Sequence, residues 1–220
     1  MWCIAKLTPE YIERMEHLLD LYQAKLPKDE VLLCMDEKSK QLIKDTRPAV
    51  PERIGAHRRR DYEYERNGTK NIFVTVEPQG GHREVTVTDR RTKKDFGQEI
   101  KRIVSLPRYT KKTMIHIVLD NLNTHFEGSL VEMFGKKETK QLMKRIKFHY
   151  TPKHASWLNM AEIEIGILSR QCIKRRIGTE EKLKKMIRIW RKKRNAQKKK
   201  IHWGFTKDDA RKVFKYEVGN

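Results

Sequence analysis

Two short apolar runs in this sequence end in an aspartate: VLLCM leads into Asp36 and IHIVL into Asp120. An acid directly after an apolar strand sits at the carboxyl end of a sheet, where open α/β sheets hold their ligands. Neighbouring strands lie about 4.8 Å apart, so the two carboxylates could share a divalent cation. Mg²⁺ accepts such sparse carboxylate ligation, with waters and phosphate completing its shell. Like charges that close are costly without a metal or a proton between them. A second cation needs a third acid, and Glu162 and Glu164 are on offer. On a helix they stand about 200° apart, so only one can face the site. Glu162 is the preferred ligand, with Asn159, three residues earlier, as a polar neighbour on the same face. Two cations about 3.5–4 Å apart activate a water or a 3′-hydroxyl on one side and stabilise the leaving oxygen on the other. Read from spacing alone, the same aspartates also suit turn and cap positions. Glu37 faces the opposite side of its strand from Asp36 and is left out of the ligand set.

The elements that must position these acids can be read along the chain. Thr8 caps a helix running to about Ala24, with Pro9 in its first turn and Ile12, Met15, Leu18, Leu19 and Tyr22 on one face. VLLCMD is a short, nearly wholly apolar run, as in a strand buried on both faces. Residues 41–60 read as irregular. DYEYER, Asn67-Gly68 and NIFVTVE predict a hairpin with a two-residue turn, and PQGG leads on to a third strand, REVTVTD. Helices are predicted at about Lys93–Ser105, at about Ser129–Arg145 with an interruption near Gly135, from Trp157 onward as one long helix, at Thr179 to about Asn195, and at Lys207–Tyr216. Strands are predicted at Met114–Leu119 and Phe148–Pro152. The sum is an α/β fold: a mixed sheet with an antiparallel meander and later strands reached by helical crossovers. Three units are expected: an N-terminal helix in residues 1–30, a catalytic core in 31–178, and a basic helical extension in 179–220 packed on that core.

The charge balance points to the partner. Fifty Lys+Arg against 29 Asp+Glu leave a net charge of +21, and such a surplus fits a polyanion. RIWRKKRNAQKKK, Arg188–Lys200, holds eight basic residues and no acid, and His57-Arg58-Arg59-Arg60 forms a second cluster. Phosphate neutralisation needs many cations with little geometric precision; a solvated basic helix face is the alternative. No window approaches the roughly 18 apolar residues of a membrane span, and the opening MWCIAKLTPE reads as no secretion signal. Cys3, Cys34 and Cys172, odd in number and without CxxC spacing, read as reduced thiols of a cytoplasmic protein, nucleoid-associated when bound to DNA.

CMDEKSKQ around Asp36, VLDNLNTH around Asp120 and YTPKHASWLNMAEIE around Glu162 resemble the three acidic blocks of the DDE transposases. More narrowly, they resemble bacterial insertion-sequence transposases of the Tc/mariner superfamily. The likeness extends to DYEYERNGT and VTVTDRRTKKDF, and the acids stand 84 and then 42 residues apart. The resemblance implies a ribonuclease-H-like fold and Mg²⁺-dependent cleavage and strand transfer of double-stranded DNA, with Mn²⁺ as a substitute and two ions per site. Carried over, Asp36, Asp120 and Glu162 are the metal ligands. Asn121, Asn123, His125 and Asn159 line the site, and Lys153 and His154 contact DNA; the charge clusters separately suggest Arg58, Arg59, Arg60, Arg191, Lys192, Lys193 and Arg194 as DNA contacts. It also implies a homodimer on DNA. Such transposases usually begin with helix-turn-helix modules, yet about thirty residues precede the first acidic strand here. The chain is therefore expected to be a catalytic half, whether a separately encoded part, a truncated gene or a cut piece of a longer one, with a separately encoded helix-turn-helix domain as a candidate partner. A structure-specific nuclease of the same fold, which cuts without joining, and a non-catalytic DNA-binding remnant are the rival readings.

Overall fold

The computed structural model describes residues 7–57, 59–121 and 125–216. Helix α1, Pro9–Gln23, starts where Thr8 Oγ1 accepts from the Tyr11 backbone N–H at 3.2 Å. Strand β1, Glu30–Asp45, is far longer than its apolar run. The long β2, Tyr64–Glu77, follows, then β3, His82–Thr88, and α2, Lys93–Val104, closed at its start by a Thr92/Asp95 capping box. Next come β4, Met114–Leu119, α3, Glu127–Met143, and β5, Ile146–Tyr150. A short 3₁₀ turn, Ser156–Leu158, leads to α4, Met160–Leu168, which ends in a π turn, Ser169–Ile173. Helices α5, Glu180–Ala196, and α6, Lys207–Phe214, complete the chain.

The sheet order is β3-β2-β1-β4-β5. β1 and β2 are antiparallel, as are β2 and β3, whereas β4 lies parallel to both β1 and β5. Both faces are covered, which explains why the central strands read as unbroken apolar runs. Val31, Leu33 and Met35 of β1 pack against Phe96, Ile100 and Ile103 of α2. The alternate residues Leu32 and Cys34 pack with α1 and with Leu158, Met160 and Ala161 at the start of α4. A third cluster seats α4 and α5 on Ile72, Val74 and Val85 through Ile165, Leu183, Ile187 and Trp190. Among the described residues no helix is long and apolar enough to cross a membrane. Cys34 and Cys172 are free and buried.

The hairpin expected at Asn67-Gly68 does not form. These residues lie inside β2, where the β1 register slips between Gln41 and Ile43. Gly68 takes φ +78°, the positive φ that suited it to a turn serving here in a bulge. The Ile43 N–H leaves the ladder for the Ile177 carbonyl at 2.8 Å, and Asn67 Nδ2 donates to the Gly178 carbonyl at 2.7 Å. The chain after α4 is thereby docked onto the bulge. The third antiparallel strand is β1 itself, and residues 41–45, expected to be irregular, belong to it. The single long helix expected from Trp157 is likewise broken, because Asn159, with φ −85° and ψ 113°, is an N-cap rather than a helical residue.

Candidate active site

Asp36 lies inside β1, not at its end as expected, because β2 accompanies β1 far beyond the point where β4 stops. The last parallel pair is Cys34 with Val118. Continuing that register by two residues sets Asp120 alongside Asp36, so the 84-residue spacing is the register offset of β1 and β4. Asp36 shares its strand face with Cys34, the face on which α4 begins.

Asn159 ties that helix to the strand. Its Oδ1 accepts from the Ala161 N–H at 3.1 Å as the cap, and its Nδ2 donates to the Met35 carbonyl at 2.9 Å and reaches Asp36 Oδ2 at 3.4 Å. Glu162, in the first turn of α4, is exposed at this end of the helix. Glu164, two residues on, is wholly buried between Arg83 Nη2 at 3.1 Å and Arg194 Nε at 2.8 Å. Of the two glutamates, Glu164 is a structural anion and Glu162 is free to meet a ligand.

The electrostatics of Asp36 register the grouping. It is 6% exposed, and burial pushes its carboxyl up to about 7, with the charges of Asp120, Glu162 and Glu37 adding to the rise and the Glu37 N–H, 2.7 Å from Oδ1, working against it. Asp120 Oδ1 is 2.5 Å from His125 Nδ1. His125 Nε2 lies 3.1 Å from Glu37 Oε2, and its ring packs at a tilt on Phe96, with centroids 4.7 Å apart. Burial alone would lower the imidazole pKa, but the two flanking carboxylates outweigh it and hold His125 at about 9. Among the described residues no three His, Cys, Asp or Glu side chains close on one another into a cation site. Asp120 is turned onto His125, and Asp36 onto its neighbour's backbone and Asn159. The donors gathered at this end of the sheet are nonetheless all carboxylate oxygens, a set suited to a hard divalent ion.

The remaining expected residues are more scattered. Asn121, Lys153 and His154 line a cavity of about 400 Å³ with Thr8, Tyr11 and Arg14 of the α1 entrance. Asn123 and Arg58 lie outside the described residues. Arg59 is exposed, in a backbone bridge with Val50, and Arg60 donates to Asp45 Oδ2 at 3.0 Å. On α5 the basic run divides in two. Lys192 and Lys193 are exposed, whereas Arg191 is drawn to Glu84 at 2.7 Å and Arg194 to buried Glu164. Both arginines are paired with acids of the protein, which the acid-free run in the sequence did not show. Glu37 was missed: its strand parity was readable, but not the histidine that meets it.

A mixed five-stranded sheet with parallel and antiparallel pairs, flanked by helices, is a ribonuclease-H-like fold. Residues 31–184 match the DDE superfamily endonuclease family, and the chain belongs to it. No curated protein sequence matches the chain. Among solved structures, the Mos1 transposase paired-end complex with left transposon end superposes with a TM-score of 0.55 and 14% identity, covering 92% of this chain and 66% of that one. The mariner Mos1 paired-end complex with Mg gives 0.55 and 16%, covering 92% and 60%, and the complex with Mn gives 0.55 and 15%, covering 90% and 61%. The chain thus spans less than two thirds of the length of these transposases, and at such identities the likeness is one of fold.

Proposed function

We propose that this chain is the catalytic domain of a DNA transposase, of the bacterial insertion-sequence branch of the Tc/mariner superfamily. In this reading Asp36, Asp120 and Glu162 hold two Mg²⁺ ions, with Mn²⁺ able to replace them. The observation that carries it is the bond network of Asn159, which brings the first turn of α4, with Glu162, to Asp36 in a chain of the DDE endonuclease family. When bound, the ions supply water activation and charge stabilisation at a phosphodiester. The protein's part is positioning. β1 and β4 fix the two aspartates by register, Asn159 fixes α4, and Asn121, Lys153 and His154 stand beside the site where a DNA backbone would pass. No covalent protein nucleophile is required, since water and then the freed 3′-hydroxyl attack phosphorus. The exposed Lys192 and Lys193 extend the basic surface along the duplex.

The complete reaction cleaves element ends and joins them to target DNA as a homodimer, in the cytoplasm at the nucleoid, with a separate helix-turn-helix domain reading the ends. The test incubates the chain with labelled duplexes bearing the inverted repeats that flank its gene, a target plasmid and Mg²⁺. Joined product supports transposition, cutting without joining supports a nuclease, and binding without cutting supports a remnant. D36N, D120N and E162Q are each expected to abolish cleavage while DNA binding persists.

A further inference from the structure

We propose that Glu37 and His125 are a positioning pair that holds Asp120 in the orientation its cation requires, an inference that rests on the reading of Asp120 as a ligand. Glu37 lies on the face of β1 opposite Asp36, in line with Val31, Leu33 and Met35, which pack against α2. Its side chain is 1% exposed, and neither carboxylate oxygen has an aligned hydrogen bond. His125 Nε2, at 3.1 Å, is the group that meets it. A buried carboxylate so poorly bonded is costly, and an apolar side chain continuing the Val31-Leu33-Met35 series would pack there without that cost. Packing therefore does not account for Glu37.

The ring it touches does. His125, 1% exposed and packed at a tilt of 35° against Phe96, turns Nδ1 onto Asp120 Oδ1. Asp120 follows the last residue of β4, so the sheet ladder does not fix its side chain. Among the described residues His125 is the hydrogen-bond partner of that carboxylate. With Glu37 near one nitrogen and Asp120 at the other, the imidazole is oriented between the two carboxylates, and one Asp120 oxygen is held. Carboxylate–histidine pairs behind metal ligands act in this way, and their loss typically weakens metal affinity about 10–100-fold.

The experiment is a Mn²⁺ titration of the full chain followed by electron paramagnetic resonance, with urea unfolding of each variant in parallel. E37Q and E37M are expected to bind Mn²⁺ about 10-fold or more weakly, while E37M unfolds at higher urea than the wild type. E37Q in an H125Q background is expected to add no further loss, because its effect passes through the ring. Wild-type affinity in E37Q and E37M overturns the proposal. So does loss of the fold in both, which would make the pair structural. D120N separates the underlying reading: wild-type Mn²⁺ affinity in D120N removes Asp120 from the ligand set, whatever Glu37 does.

Discussion

Asn159 serves α4 and Asp36 at once, capping the helix with its oxygen and reaching Met35 and Asp36 with its nitrogen. It is completely buried, so removing the amide orphans both the Ala161 N–H and the Met35 carbonyl. Asn159→Ala should cost about 1–3 kcal/mol of stability, read from urea unfolding. It should also lower DNA cleavage by more than the unfolded fraction explains, because the turn carrying Glu162 loses its anchor. Cleavage that merely tracks the folded fraction would reduce Asn159 to a helix cap.

The glutamates of α4 should separate stability from activity. Glu162 is exposed in the first turn, and Glu162→Gln is expected to change stability by less than about 0.5 kcal/mol while abolishing cleavage. Glu164→Gln leaves Arg83, itself fully buried with Nε and Nη1 already lacking partners, without its countercharge. A loss of about 3–5 kcal/mol is expected, with near-normal cleavage per folded molecule. Denaturation curves paired with a nicking assay decide both, and the reverse pattern would exchange the two roles.

These residues also mark how far the sequence could be read. The 200° separation of Glu162 and Glu164 on a helix said that the two face different ways, and the apolar runs located β1 and β4, although β1 runs on past Asp36 to Asp45. Local signals misled where a distant partner decided the outcome. Asn67-Gly68 has the chemistry of a tight turn, but a strand about thirty residues earlier pairs across it and absorbs the glycine as a bulge. Arg191 and Arg194 belong to a run with no acid in it, and their acids, Glu84 and Glu164, come from β3 and α4. The Glu37–His125 contact was hidden for the same reason. Parity placed Glu37 on the far face, and only the return of the chain after β4 brings a histidine beneath it.

Asp36 carries a cost in the metal-free chain. It is buried, and its ionised form is opposed by burial and by three neighbouring acids. Asp36→Asn should therefore raise the unfolding temperature of the metal-free protein at neutral pH, a rare gain for a buried site, and abolish cleavage. Added Mg²⁺ should stabilise the wild type through binding to the native state and leave the variant unmoved. Equal Mg²⁺-induced shifts in both proteins would take Asp36 out of the cation site.

Three histidines, His116 and His149 buried and His17 exposed, form a relay that should make stability depend on pH. His17 Nε2 lies 2.8 Å from His149 Nδ1, His149 Nε2 lies 2.9 Å from His116 Nδ1, and His116 Nε2 lies 2.9 Å from Glu30 Oε2. One proton order fills all three contacts with neutral rings: Glu30 accepts from His116, His116 from His149, and His149 from His17. A further proton on His149 would remove the acceptor His17 needs. Burial first, and then the neighbouring His116, His17 and Lys147, hold its pKa down to about 3. In the unfolded chain the same imidazole titrates near 6.5. Below that pH the unfolded state takes up a proton that the folded state refuses. The stability held through this group is thus complete above about 6.5 and lost as pH falls toward 3, by about 1.4 kcal/mol per unit. Urea unfolding at pH 6.5 and pH 5 should show the wild type losing about 2 kcal/mol more than His149→Phe. Parallel losses in the two proteins would show that the relay does not couple protons to folding.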